Sequence, residues 1–249
     1  MIDHKKRGMF VEAKDRIVLA LDVDTPAEAL NLARNLSGHV GVFKIGMQLF
    51  NSAGPDIVYR VHDLGGSVFL DLKLHDIPNT VAAAGKVLTR LNCKMFNVHA
   101  AGGREMMSKV AEDSREEALK LGIQPPLILA VTVLTSISDK ELAQEMMVPN
   151  LKVEELVVRW ALMAQESGLG GVVCSPREIV PIRQACGKDF KIVTPGIRPL
   201  WSEANDQKRI TTPRDALQMG ADYMVIGRPI VKDADPCAAA QRIIDELEV

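Results

Sequence analysis

The sequence predicts an α/β protein folded as a single (β/α)8 TIM barrel. Short apolar segments rich in β-branched residues recur along the chain, and stretches with helical spacing of apolar residues separate them. Eight such segments can be counted, and no Gly/Pro/Ser-rich linker divides them. The first is followed by Leu21-Asp22-Val23-Asp24-Thr25-Pro26 instead of a GxGxxG fingerprint, which disfavours the open sheet of a dinucleotide-binding fold.

The predicted elements alternate in chain order. The predicted strands are Ile17–Val23, Val42–Met47, Ser67–His75, Met95–Ala100, Leu127–Val133, Gly171–Ser175, Lys191–Ile197 and Tyr223–Gly227. Among the intervening helices, Pro26–Leu36 is predicted to begin after an N-cap at Thr25, and Val153–Ser167 to end before Gly168. In such a barrel the chemistry lies at the C-terminal ends of the strands and in the loops that follow them.

Length and composition agree with one domain over residues 1–249. The chain is 47% hydrophobic and 25% charged, which is sufficient for one large core. Single α/β barrels routinely reach ~250 residues. The net charge of −2 provides no sequence-wide cationic field for nucleic acid or a membrane surface. We therefore expect a small-molecule ligand, with no nucleic-acid or membrane partner.

Cysteine usage and the N-terminal sequence predict a cytoplasmic protein. The four cysteines are scattered, without CxxC spacing, so neither a zinc site nor a disulfide framework is supported, and we expect reduced thiols. The charged start Met1–Arg7 is not followed by the apolar segment of a signal peptide. No apolar run approaches the ~20 residues of a membrane-spanning helix.

The third predicted strand carries charges on one face. Alternation places Phe69, Asp71, Lys73 and His75 together, facing the barrel interior, and the intervening apolar residues on the outer face. An Asp and a Lys on an inner face are costly to bury unless they pair with each other or with a ligand. Taken alone, this strand leaves open a purely structural ion pair.

Two neighbouring strands add charges that favour a functional interpretation. Asp22 follows the first strand, and Lys44 alternates with apolar residues in the second. We expect Asp22, Lys44, Asp71 and Lys73 to converge at one mouth of the barrel. Interleaved acids and bases shift one another's pKa values and suit proton transfer or charge stabilisation. His75 and His99 could each be a catalytic acid or a hydrogen-bonded structural group, and the structural interpretation is favoured.

The last two strands end on features suited to phosphate. The eighth strand stops at Gly227-Arg228, and the seventh leads into a segment containing Arg198. A glycine leaves its backbone N–H approachable, an arginine fork matches phosphate oxygens, and barrels commonly bind phosphate at this end. For Arg198 alone an ordinary surface loop remains the alternative. We predict a phosphate ester whose reactive part reaches the charged cluster.

The segment Asp71-Leu72-Lys73-Leu74-His75-Asp76-Ile77-Pro78-Asn79-Thr80 resembles the signature of the orotidine 5′-phosphate decarboxylases. Further matching motifs occur in order along nearly the whole chain. They are Leu19-Ala20-Leu21-Asp22, Phe43-Lys44, Asn97-Val98-His99-Ala100, Ala130-Val131-Thr132-Val133-Leu134-Thr135-Ser136, Val193-Thr194-Pro195-Gly196-Ile197-Arg198-Pro199 and Tyr223-Met224-Val225-Ile226-Gly227-Arg228-Pro229. Only about the first ten residues and the loop from Ile137 to Leu151 fall outside recognisable motifs.

The resemblance implies decarboxylation of orotidine 5′-monophosphate to UMP and CO2 in de novo pyrimidine biosynthesis, without a cofactor or a metal. It implies that Lys73 protonates C6 of the pyrimidine within an array of Lys44, Asp71, Lys73 and Asp76. In this family the residues corresponding to Asp76 and Thr80 reach into the neighbouring subunit's site, which implies a homodimer with shared active sites.

The resemblance also implies the roles of the remaining site residues. Asp22 and Lys44 would bind ribose hydroxyls, and Thr135 would lie near the pyrimidine. Gln207, Arg228 and the backbone of Gly227 would bind the phosphate, with Arg198 supporting that side.

Two alternatives remain at this stage. One is another phosphate-sugar barrel, such as a ribulose-phosphate epimerase or a metal-assisted keto-gulonate phosphate decarboxylase, whose activity would respond to EDTA. The other is a silent barrel that only binds a phosphorylated metabolite. The number of charges predicted at the mouth argues against the second alternative, because binding alone would not require them.

Overall fold

The fold is a closed barrel of eight parallel strands, in which neighbours follow chain order and β8 pairs with β1. The computed structural model describes residues 11–202 and 211–248. The strands are β1 (Ile17–Ala20), β2 (Val42–Gly46), β3 (Val68–Leu74), β4 (Met95–His99), β5 (Leu127–Val131), β6 (Gly171–Val173), β7 (Lys191–Pro195) and β8 (Tyr223–Ile226). The predicted TIM barrel is confirmed.

The α-helices surround the strands. They are α1 (Pro26–Leu36), α2 (Met47–Ala53), α3 (Asp56–Asp63), α4 (Pro78–Arg90), α5 (Gly103–Leu121), α6 (Asp139–Gln144), α7 (Val153–Glu166), α8 (Ile179–Cys186), α9 (Pro213–Met219), α10 (Arg228–Val231) and α11 (Pro236–Glu248). As predicted, α1 begins after Thr25, whose Oγ1 accepts a hydrogen bond from the Glu28 N–H at 3.2 Å. The helix α7 ends before Gly168, whose φ of 82° lies in the left-handed region.

The barrel has two apolar layers. Inward-facing side chains of six strands form a small buried cluster in the interior, consisting of Val18, Val42, Phe69, Met95, Leu129 and Val193. A much larger cluster packs between the outer faces of the strands and the helices. Because side chains fill the interior, a ligand must bind above this layer, at a mouth of the barrel.

Most predicted strands extend beyond the observed ones at their C-terminal ends. The predicted Ile17–Val23 ends at Ala20, and the predicted Lys191–Ile197 ends at Pro195. Several of the residues beyond these ends are apolar and buried, as with Leu21 and Ile197, at 0% and 1% exposed. Apolar composition therefore predicts that these residues are buried. It does not distinguish a residue that belongs to a strand from a buried residue in the loop that follows, so the predicted strands are too long.

The pairing of β3 with β4 is irregular at the charged residues. Leu70 is in register with Phe96, but the next registered pair is Leu74 with Val98. Four residue steps on β3 thus oppose two on β4, which is a bulge. Within it, Lys73 has a φ of 52°. The predicted strict alternation through His75 is wrong in this respect, since β3 is bulged and ends at Leu74.

Two further findings bear on the sequence-based expectations. All four cysteines lie in the described part of the chain, and each is a free thiol. Within residues 11–202 and 211–248, no helix combines the length and apolar character needed to cross a bilayer.

Candidate active site

Lys44 links the ends of the first three strands at the mouth of the barrel. Its side chain, on β2, is only 8% exposed. Its Nζ lies 2.9 Å from Asp22 Oδ1, just beyond β1, and 3.4 Å from Asp71 Oδ2 on β3. An ammonium this buried requires such partners, because desolvation of an isolated charge is costly.

Asp71 lies at the centre of the cluster. Its Oδ1 accepts hydrogen bonds from Lys73 Nζ at 2.6 Å and from Asn97 Nδ2 at 2.7 Å. Its side chain is 16% exposed. The structure thus brings together the four groups proposed from sequence, in the spatial order Asp22, Lys44, Asp71, Lys73. Two carboxylates and two ammonium groups alternate, so that each buried charge faces an opposite one.

The surroundings keep Asp71 ionised. Burial raises the pKa of the Asp71 carboxyl, but the charge of Lys44 and the hydrogen bond and charge of Lys73 lower it, with a further contribution from Asn97. The net effect holds the pKa of Asp71 below its ordinary value. At neutral pH the centre of the cluster is therefore a carboxylate that can hold the two ammonium groups in place.

Lys73 is the cation of the cluster that faces the open mouth. Its side chain is 27% exposed, compared with 8% for Lys44. A ligand entering from solvent can reach Lys73 Nζ while Asp71 continues to hold it. The arrangement presents a fixed, partly desolvated ammonium, which can stabilise developing negative charge and donate a proton.

Two histidines flank the cluster beyond β3 and β4. The rings of His75 and His99 are tilted against each other with centroids 5.4 Å apart. Burial lowers the pKa of the His99 imidazole, and the charges of His75 and Lys73 lower it further, against the opposing effect of Asp71. The lowered pKa favours the neutral imidazole of His99 at pH 7.

The opposite side of the mouth is formed by the ends of β7 and β8. A Cβ added to Gly227 would lie 3.2 Å from Ala20 Cβ on β1, which is tighter than ordinary contact, so the chain passes close to β1 at this glycine. Arg228 is exposed at the first position of α10. Arg198 is 6% exposed, and its backbone N–H donates to the Thr211 carbonyl at 3.0 Å.

Three other residues were predicted from the sequence to belong to the site. Gln207 lies outside the described residues. Thr135 is exposed in the loop after β5. Thr80 is exposed in the first turn of α4. Each of the two described threonines is accessible to a ligand or a partner.

Asp76 lies in the exposed segment between β3 and α4. Its Oδ1 accepts a hydrogen bond from the Ile77 N–H at 2.6 Å. The adjacent Ile77 side chain is 66% exposed. This segment thus presents a carboxylate beside an uncovered apolar side chain.

Sequence reasoning noted Asn97 only as part of a motif and missed its position. The structure places it on the inner face of β4, 1% exposed and in contact with both Asp71 and Lys73. The available signal was an amide between the apolar residues Phe96 and Val98 of a buried strand.

The chain is similar to known proteins over nearly its full length. The sequence profile described as Orotidine 5'-phosphate decarboxylase / HUMPS family matches residues 15–243. The orotidine 5'-phosphate decarboxylase of Syntrophomonas wolfei is 66% identical over 238 residues, covering 96% of this chain and 100% of the relative. That of Syntrophotalea carbinolica is 54% identical over 239 residues, covering 96% and 97% respectively.

A solved structure shows the same architecture. The crystal structure of orotidine 5'-phosphate decarboxylase from Lactobacillus acidophilus matches with a TM-score of 0.83 at 38% sequence identity, covering 94% of this chain and 99% of that one. An uncharacterized conserved protein from Geobacillus kaustophilus matches with a TM-score of 0.82 at 39% identity, covering 93% and 99%.

Proposed function

Because the chain belongs to the orotidine 5'-phosphate decarboxylase / HUMPS family, we propose that it converts orotidine 5′-monophosphate to UMP and CO2 in de novo pyrimidine biosynthesis. It is a carboxy-lyase on a TIM barrel. Relatives that share about half or more of its residues over nearly its full length carry the decarboxylase name, which favours this activity over the other members of the wider family.

The observation that carries the mechanism is the alternating row of Asp22, Lys44, Asp71 and Lys73. Loss of CO2 from C6 leaves an sp² carbanion with no adjacent electron sink, so stabilisation must come from charges that are already in place. Asp71 Oδ1, 2.6 Å from Lys73 Nζ, fixes the ammonium before the reaction begins. The Lys73 ammonium is therefore already ordered in the folded protein and need not be reoriented during the reaction.

The proposed reaction requires no cofactor and no metal. The bond between C6 and the carboxylate carbon breaks, CO2 leaves, and the electron pair stays on C6. Lys73 then transfers a proton from Nζ to C6, giving UMP, and the neutral amine regains a proton from solvent. Asp71, itself paired with Lys44, holds Lys73 in position, and the negative charge of Asp71 also faces the substrate carboxylate.

We propose that the substrate spans the mouth from the charged cluster to the ends of β7 and β8. Asp22 and Lys44 bind the ribose hydroxyls, and the exposed Thr135 lies near the pyrimidine. Arg228, the Gly227 backbone and Gln207 bind the phosphate, with Arg198 supporting that side. These contacts are remote from C6, so their binding energy can be used to order the loops around the base.

We also propose that residues 1–249 form one catalytic domain, which works in the cytoplasm as a homodimer. Asp76 and Thr80 would complete the site of the neighbouring subunit, with Asp76 extending that site's charged array. An interface at this segment would also cover the exposed side chain of Ile77.

The proposed function is tested by following orotidylate absorbance with purified protein, no added cofactor and excess EDTA. We expect the absorbance of orotidylate to disappear at the same rate with and without EDTA. Loss of activity in EDTA, restored by a divalent metal, would instead identify a metal-assisted phosphate-sugar barrel. Binding of orotidylate without turnover would identify a silent barrel.

A further inference from the structure

Because of the bulge in β3, the backbone N–H of Lys73 lies outside the regular hydrogen-bond ladder between β3 and β4. Between the registered pairs Leu70–Phe96 and Leu74–Val98, the backbone of β3 departs from the β4 ladder. Lys73 lies in this interval with a φ of 52°. A backbone N–H withdrawn from its ladder in a largely buried site must find another acceptor, since leaving it unpaired costs about 1–3 kcal/mol.

Asn97 supplies that acceptor from the opposing strand. The Lys73 backbone N–H donates to Asn97 Oδ1 at 2.8 Å. The other end of the same amide, Nδ2, donates to Asp71 Oδ1 at 2.7 Å. Asp71 Oδ1 in turn accepts from Lys73 Nζ. These three hydrogen bonds run from the Lys73 backbone through the Asn97 amide and the Asp71 carboxylate to the Lys73 ammonium. The side chain of Lys73 itself closes the ring.

The ring requires an amide at position 97. One end must accept from an N–H and the other must donate to a carboxylate, and at neutral pH an amide offers both, whereas an ionised carboxylate of the same shape only accepts. The opposite orientation of the amide would place two donors together and two acceptors together, so its partners determine the orientation. The side chain is 1% exposed on the inner face of β4.

We propose that Asn97 is a positioning residue for the decarboxylation: it holds the strained Lys73 backbone and the Asp71 carboxylate so that the Lys73 ammonium stays aimed into the mouth. This inference rests on the function proposed above. Asn97 acts through Lys73 and Asp71. Its removal should therefore reduce turnover more than substrate affinity, because the ribose and phosphate contacts lie elsewhere.

The first test replaces the amide by an apolar group of similar size. In Asn97→Leu both hydrogen bonds are lost, and we expect kcat to fall on the order of 10²-fold, since displacement of a reactive group by about 1 Å can have this effect. The KM for orotidylate should change only a few-fold. The matched control is Thr89→Val, which removes a buried hydrogen bond to the Gly85 carbonyl on α4 and should leave kcat unchanged.

The second test gives a readout that a merely structural role would not affect. Asn97→Asp keeps the shape and the acceptor for the Lys73 N–H, but it sets a second carboxyl against Asp71, among the charges of Lys44, Lys73 and Asp22 and beside His99. At neutral pH the two carboxylates repel, and kcat should fall. Acidification should place one shared proton on the pair, restoring a donor between them, so the ratio of variant to wild-type kcat should rise.

The proposal is overturned if Asn97→Leu and Asn97→Asp retain wild-type kcat, if the loss appears only in KM, or if the kcat ratio for Asn97→Asp does not change with pH. If Asn97→Leu does not fold, Asn97→Asp decides the question by itself. A wild-type protein inactive on orotidylate would refute the proposed function instead. In that case NMR titration of the resting protein tests the ring, because the pKa of Asp71 should rise in Asn97→Leu and not in Thr89→Val.

Discussion

At the scale of single residues, Lys73 combines an uncommon backbone conformation with a side chain held in one position. Its backbone lies in the left-handed region, which is uncommon for a residue with a long side chain. Its ammonium is nevertheless held 2.6 Å from Asp71 Oδ1. Backbone strain of this kind persists only where the surroundings over-determine it, and it occurs preferentially at functional sites.

The central prediction at this scale concerns the Lys73 side chain. Lys73→Ala should lower turnover by several orders of magnitude, on the order of 5–10 kcal/mol of transition-state stabilisation, while the protein remains folded. Steady-state kinetics and circular dichroism measure the two effects. Lys86→Ala, which removes an ion pair with Asp113 on the outer helices, is the control and should retain activity. Near-normal turnover in Lys73→Ala would exclude its role as proton donor.

Asp71 should make a pH-dependent contribution to stability. Its folded-state pKa is below the ordinary value, so its ionised form stabilises the native state above the unfolded pKa of about 3.9, and that contribution is lost as pH falls through the folded pKa. Asp71→Asn should therefore be less stable than wild type at about pH 7, and the difference should shrink below about pH 4. Urea unfolding across this range measures it; a difference that stays constant or grows would contradict the prediction.

At the scale of elements, the ends of five strands contribute different components to the proposed site. The ends of β1, β2 and β3 provide the charges, β4 provides the amide that orders two of them, and β8 with α10 provides Gly227 and Arg228. The helix α10 has four residues, so its dipole is a small factor, and the phosphate affinity proposed here depends on the arginine and the approachable backbone.

Replacement of Arg228, at the start of α10, tests whether the end of β8 binds the phosphate. Arg228→Ala should weaken binding of the phosphorylated substrate by roughly 2–4 kcal/mol and change little for a truncated substrate that lacks the phosphate. Comparison of kcat/KM for the two substrates measures this. Arg90→Ala, on the outer helix α4, serves as the control. Equal losses with both substrates would mean that the phosphate binds elsewhere.

At the scale of the whole molecule, the proposed homodimer would make the exposed segment between β3 and α4 part of both the site and the subunit interface. If each site takes Lys73 from one subunit and Asp76 from its partner, homodimers of Lys73→Ala and of Asp76→Ala should both be nearly inactive. Mixing the two variants should restore activity, because a mixed dimer collects both defects in one site and leaves the other intact.

The size of the recovery follows from the symmetry. Random exchange makes about half of the dimers mixed, and each has one intact site, so roughly a quarter of wild-type activity should return. Gel filtration must first show that subunits have exchanged, with each variant incubated alone as the control. Exchanged dimers without recovery would show that Asp76 serves the site of its own subunit.

The sequence predicted the architecture well because its signals are local. Alternation and helical spacing report which side of an element is buried, and residues such as Thr25 and Gly168 act on the adjacent turn. The count and order of the strands, the limits of α1 and the grouping of Asp22, Lys44, Asp71 and Lys73 could all be inferred in this way. Strand ends were less certain, since loops at the mouth are apolar as well.

What only the tertiary structure decided depends on contacts between strands. The bulge in β3 and the Asn97 contacts join residues about two dozen positions apart, and they exist because β3 pairs with β4 in one particular register. Periodicity in a single strand carries no information on the register of its neighbour. The sequence by itself therefore determined which charges the barrel mouth contains, whereas closure and register of the barrel determined how Lys73 is held and aimed.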